Sequence, residues 1–236
     1  NAMGRFFPYA DLTDIIKNMK NGNNSSYNDT FIYPYDGAQT VIVYLMSKIN
    51  ITNTHLGENV ISVDIQNKIV KTDKEDYYFE YLINSIPFNK FNNLIGNENA
   101  KMSWNKVLVF NIGFDKPSID KSIHWIYYPE KDINFYRVGF YNNILNHEKL
   151  SIYVELGFDK NERINVEEQY KNTLKNLKKC GVINDHNVIA YESILMDPAY
   201  VHISKKSREY MKDIRTMLES NNTYTIGRYG NWTYCS

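Results

Sequence analysis

From Lys106 onward the chain is a succession of short strand signals, and this most constrains what it can fold into. Val107 to Ile112, His124 to Tyr128, Tyr136 to Tyr141 and Leu150 to Leu156 are β-branched and aromatic runs. Strands joined by short polar loops pair antiparallel more often than parallel. A charged helix with Val166, Tyr170, Leu174 and Leu177 on one face follows and stops near Gly181, a natural residue for the position after a helix. Val188 to Leu195 is one more strand, broken by Asp197-Pro198, and a last helix carries Tyr210, Met211, Ile214, Met217 and Leu218. The expectation is an α+β fold: a predominantly antiparallel central sheet covered by helices near residues 166–180 and 205–219.

Upstream the pattern is mixed. Leu12, Ile15, Ile16 and Met19 mark one helical face with Asp11 available as a cap, and the polar loop from Asn21 to Ser26 ends it. After Asp36-Gly37 a second helix carries Val41, Ile42, Leu45, Met46 and Ile49, and core packing is expected for that face. Three strands read as a meander: Val60 to Ile65, Lys68 to Thr72 and Tyr77 to Asn84. Pro87 stops the third, and a short helix is expected around Phe91 to Ile95.

The C-terminal stretch Gly227-Arg228-Tyr229-Gly230-Asn231-Trp232-Thr233-Tyr234 packs two glycines, one fixed cation and three aromatics into eight positions. It follows the strand-prone Thr223-Tyr224-Thr225-Ile226, at the strand end where open α/β sheets hold ligands. Glycine admits close approach, and the arginine fork matches phosphate or carboxylate. On these residues alone a tight turn with a surface ion pair is the favoured reading, since the motif is short. Arg137 sits in the strand Phe135 to Phe140, where alternation sets it opposite Tyr136 and Val138. A solvated side chain is favoured there over a phosphate contact.

Composition narrows the partners. The 236 residues carry 27 acidic and 27 basic side chains, so no net field attracts nucleic acid or an anionic membrane. No apolar run reaches the ~18 residues of a membrane span, and the N-terminus lacks a signal-peptide layout, so a cytoplasmic protein is expected. Cys180 and Cys235 are the only cysteines and the five histidines show no ligand spacing with carboxylates along the sequence, so no metal site is expected. No side chain is assigned a catalytic role.

Three stretches now stand in order: Tyr33-Pro34-Tyr35-Asp36-Gly37 before an apolar helix, Tyr81-Leu82-Ile83-Asn84-Ser85-Ile86-Pro87 after a hairpin, and the Gly227 to Tyr234 motif. This resembles the later two-thirds of the flavin-dependent amine oxidase and protoporphyrinogen oxidase superfamily, most closely its UDP-galactopyranose mutase-like branch. Ala38 replaces that pattern's second glycine, Glu80 or Tyr81 its aspartate, and Ser85 its threonine. The family's opening Gly-x-Gly-x-x-Gly turn, which seats the flavin pyrophosphate on a helix N-terminus, does not occur in the sequence.

The resemblance implies an N-terminal helical segment over 1–30, an incomplete flavin-domain portion over 31–99 and 205–236, and a substrate-domain-like sheet and helix over 100–204. It implies cofactor contacts from Gly227, Arg228 and Gly230, and substrate contacts from Arg228, Tyr234, Trp232 and Arg137. The implied function is that of the C-terminal part of an FAD-dependent oxidoreductase or mutase-like protein of cell-surface polysaccharide (LPS/capsule) synthesis, acting on a nucleotide sugar or other small molecule. Without the glycine turn this chain alone is expected to hold no FAD and to be inactive. The alternatives are a non-catalytic binding or structural remnant, or one half of a split flavoprotein whose nucleotide-binding domain is a separate chain. In either family role, burial of Trp232 at the sheet-to-helix junction is favoured over stacking on a ligand.

Overall fold

The structure, a computed structural model, describes residues 12–21, 31–97 and 102–234. Asp11 and most of the loop after Asn21 lie outside these residues. The chain divides into two compact units, Asn1–Gly57 and Glu58–Ser236.

In the first unit, α1 spans Leu12–Asn21, α2 spans Gln39–Met46, and a 3-10 turn covers Ile51–Asn53. Gly37, at φ +86°, makes the turn before α2, its N–H donating to the Pro34 carbonyl at 3.0 Å. Core packing was expected for the apolar face of α2. Instead Val41, Ile42, Val43, Tyr44, Leu45 and Met46 are all exposed. The helix is apolar on every side, so its periodicity marks no single buried stripe.

The second unit opens with the meander β1 (Val60–Asp64), β2 (Ile69–Thr72) and β3 (Asp76–Tyr78), paired antiparallel in that order. The expected third strand from Tyr77 to Asn84 divides in two. After Tyr78 the chain leaves the meander, and β4 (Leu82–Asn84) enters a different sheet. Pro87 then caps α3 (Phe88–Leu94), which starts three residues earlier than the apolar pattern suggests.

The central sheet is built from β5 (Trp104–Phe114), β6 (Trp125–Tyr127), β7 (Arg137–Phe140), β8 (Ser151–Asp159) and β9 (Val188–Val201), in the spatial order β6-β7-β8-β5-β9. Every pairing is antiparallel, as expected. A short helix, α4 (Tyr141–Leu145), follows β7, and α5 (Val166–Lys179) follows β8. The side chain of Asn165 caps α5 by accepting from the Glu168 N–H at 3.2 Å, and Gly181 leaves it at φ +72°. Asp197-Pro198 does not end β9 but falls in a register irregularity, beyond which Tyr200 and Val201 pair with β5 again.

Period-two alternation decides which residues of this sheet meet α5. Leu108, Phe110 and Ile112 of β5, Ile152, Val154 and Leu156 of β8, and Val138 and Phe140 of β7 share one face and form one core with Leu177, Tyr170 and Leu174 of α5. A second core joins Val63 and Ile65, Phe88 and Phe91 of α3, and Met211, Ile214 and Leu218 of α6 (Lys205–Glu219). Ser204 and Ser207 form a reciprocal capping box at the start of α6. β10 (Thr223–Thr225) then pairs parallel with β4, and α7 (Gly227–Gly230) closes the described chain.

Candidate functional site

The face of the central sheet opposite α5 holds a different kind of residue. Registers pair Tyr127 with Arg137, Arg137 with Glu155, Trp125 with Gly139, and Gly139 with Tyr153. All six side-chain positions therefore point away from the α5 core. Glu155, buried, receives Arg137 Nη1 at 3.4 Å and accepts a hydrogen bond from the Tyr136 hydroxyl at 2.5 Å. Alternation would send Tyr136 to the other face. It precedes the regular part of β7, so its ring swings over Gly157 and its hydroxyl reaches the Arg137 side of the sheet.

Arg137 is enclosed by rings, with its guanidinium carbon 5.3 Å from the Tyr153 centroid, 5.6 Å from Tyr127 and 6.0 Å from Trp125. These are cation–π distances. Gly139 makes room for the nearest ring: a Cβ there would lie 2.0 Å from Tyr153. Burial lifts the Tyr153 phenol to about 12, against the pull of Arg137. Burial, then the Glu155 hydrogen bond, pushes Tyr136 far above the ordinary phenol value.

The C-terminal motif reaches this region through α7. Gly227 enters the helix at φ +76°, and the Ile226 N–H donates to the Asn84 carbonyl at 2.8 Å, locking the turn to the end of β4. Gly230 is pressed against the same strand, where a Cβ would meet the Asn84 carbonyl oxygen at 3.2 Å. The Tyr229 hydroxyl donates to Ala199 of β9 at 3.0 Å. That tether sets Arg228 over Tyr200 at 5.6 Å and beside Tyr234 at 4.9 Å, so the turn brings Arg228 and Tyr234 together. Burial raises the Tyr234 phenol, with Arg228 opposing.

Tyr200 lies between the two arginines' surroundings: Arg228 stands over its ring, and its phenol is among the groups near Arg137 and Tyr136. The Nε atoms of both Arg137 and Arg228 are buried without a hydrogen-bond partner. A buried, unmet charged donor is costly unless a ligand meets it. Arg137 is half neutralised by Glu155, whereas no carboxylate among the described residues pairs with Arg228. The arrangement can hold an anionic group at Arg228 and a neighbouring polar or anionic group near Arg137.

Trp232, grouped with these residues by the resemblance, lies elsewhere. It is buried in the second core, edge-on to Trp104 at 5.9 Å, and faces no open surface. Gly227 and Gly230 shape the turn by their backbones. Trp125, Tyr127, Tyr136, Tyr153, Glu155 and Tyr200 were not singled out as site residues from sequence, although the i, i+2 spacing of Trp125/Tyr127 and Tyr153/Glu155 already places each pair on one sheet face.

Flavin can be tested against these groups. The buried Nε of Arg228 suits one anionic oxygen. A dinucleotide needs several convergent backbone donors at a helix N-terminus. α7 has four residues, and the N–H that enters it is already donated to Asn84. The residues present fit one anionic group and not a pyrophosphate cradle.

No family model and no curated protein matches the sequence. Solved structures do match, and they define a fold class: mixed helix and strand with antiparallel sheets. A reduced UDP-galactopyranose mutase overlaps 99% of this chain and 55% of its own, with TM-score 0.87 at 19% identity. An Exiguobacterium sp. 255-15 protein named as a protoporphyrinogen oxidase overlaps 91% of this chain and 52% of its own, at TM-score 0.71 and 14% identity. An oxidoreductase from Methanosarcina mazei overlaps 83% and 49%, at TM-score 0.58 and 13% identity. The chain spans about half the length of each. At such identities the likeness is one of fold, and that fold is the one the resemblance implied. Among the described residues no helix is long and apolar enough to cross a membrane.

Proposed function

We propose that this chain is the substrate-binding part of a flavin-dependent oxidoreductase or mutase-like protein that acts on a nucleotide sugar in cytoplasmic steps of cell-surface polysaccharide synthesis. Residues 100–204 form its substrate domain, and 31–99 with 205–236 form part of its flavin domain. The diphosphate lies across the open sheet face, held at Arg228 and Tyr234 and extending towards Arg137. The observation that carries this reading is the pair of arginines with unmet buried Nε donors, with Tyr200 a neighbour of both on one tyrosine-lined surface. Neutral phenols supply hydrogen bonds to phosphate, and the rings exclude water from the arginine faces. By itself the chain retains no flavin.

Titration of the purified chain with UDP by calorimetry tests the reading. Arg228→Ala and Arg137→Ala are each expected to weaken binding at least tenfold, the former more because Glu155 already offsets Arg137. Equal UDP affinity in wild type and both variants would refute the site. A flavin band retained in stoichiometric amount after FAD addition and desalting would refute the dependence on another nucleotide-binding part.

A second reading, one half of a split flavoprotein, is favoured by the β4–β10 pair. Parallel strands ordinarily lie within larger sheets covered on both faces. Here the outer edge of β4 has no strand among the described residues and Ile83 is 64% exposed. Flavin retained only after co-purification with a chain bearing the glycine turn would support this reading over the first.

A further inference from the structure

β9 is an edge strand of unusual character. It pairs with β5 on one side, and on its other side no strand lies among the described residues. From Val188 to Met196 it carries one charge, Glu192, and no proline, while Ile189, Tyr191, Ile194, Leu195 and Met196 are all exposed. Edge strands of single-chain proteins are normally blunted by lysine, proline or a bulge placed within the strand. The irregularities of β9 lie at the two ends of this run, between Val188 and Ala190 and between Met196 and Tyr200, and leave Ala190 to Met196 regular.

We propose that this edge is the interface of a homodimer, in which β9 pairs antiparallel with β9 of a second copy about a two-fold axis through Ser193, joining two five-stranded sheets into one of ten strands. The regular stretch is itself centred on Ser193, and two-fold symmetry requires such a self-complementary segment. In this register Tyr191 faces Leu195 of the partner subunit, an aromatic–aliphatic pair of the kind that stabilises sheets. Ala190 faces Met196 of the partner subunit, small against large. Glu192 faces Ile194 of the partner subunit, so the two glutamates are never directly opposite. The small Ser193 lies at the axis, where a bulky residue would meet itself. A register centred on Glu192 would oppose like charges. A second copy thus fits this edge in size and charge, pairs its backbone groups and covers apolar side chains on both faces of the strand.

Sedimentation of the full chain at high micromolar concentration tests the proposal. The expected result is twice the chain mass, reduced to the chain mass by Leu195→Lys with an unchanged circular dichroism spectrum. Val43→Lys, on the exposed apolar helix α2, should leave the dimer intact. In a Cys180→Ser, Cys235→Ser background, Ser193→Cys should form an intermolecular disulfide on oxidation, since directly opposed residues of antiparallel strands stand about 4.5–5.5 Å apart at Cα. A monomeric wild type would overturn the proposal and leave the edge to another partner. A dimer that survives Leu195→Lys, or is broken by Val43→Lys instead, would move the contact elsewhere. A dimer in which Ser193→Cys does not cross-link would refute the pairing about Ser193.

Discussion

The two faces of the central sheet are made from alternate residues of the same strands, yet they are built on opposite principles. Beneath α5, Leu108, Phe110, Val154 and Leu156 are buried apolar side chains whose only requirement is volume. On the other face the buried Glu155 and the half-buried Arg137, Tyr136 and Tyr153 are polar or amphipathic groups that each meet a named partner. One face tolerates any close-packed filling, and the other depends on orientation. Orientation is what ligand recognition requires, so the second face is the one that carries the candidate site.

Removing atoms should injure the first face most. Phe110→Ala deletes a fully buried ring packed 5.5 Å from Tyr170, and is expected to cost about 3–5 kcal/mol in urea unfolding. Adding an atom should injure the second. Gly139→Ala places a methyl within the Tyr153 ring and should cost about 1–3 kcal/mol, with UDP binding lost beyond what stability explains. If Gly139→Ala binds UDP normally, the Tyr153 ring has no part in shaping the site.

A smaller, pH-dependent difference should follow from the phenols. Burial raises Tyr153 to about 12, and it likewise raises Tyr128 to about 12. A phenol whose folded pKa is raised stays protonated in the native state while the unfolded chain, at about 10, has already lost the proton. Stability is therefore fully present below pH ~10 and declines as pH rises towards ~12. Tyr153→Phe should flatten that decline in denaturation midpoints measured across the interval. An unchanged slope would mean that Tyr153 opens to solvent before it ionises.

Much of the fold was legible because its signals are local. The four-residue rhythm from Val166 to Leu177 and the stop at Gly181 specify α5, and the residues of α6 repeat the pattern. Runs of β-branched and aromatic residues located β5, β7 and β8. The arginine-bearing turn after Thr223 to Thr225 was also visible, since glycine at positive φ and a strand end are properties of a few adjacent residues.

What the sequence by itself determined was therefore the identity of most elements and the presence of an arginine within a glycine turn. Only the tertiary structure decided which partners those elements meet. It drew Leu82-Ile83-Asn84 out of the meander into parallel pairing with β10, buried Trp232 against Trp104, left α2 uncovered, and turned Tyr136 towards Glu155. Periodicity extends over two to four residues, whereas Arg228 meets Tyr200 because Tyr229 is tied to Ala199, 30 positions away. Such meetings depend on register and docking between distant segments, and no local pattern encodes them.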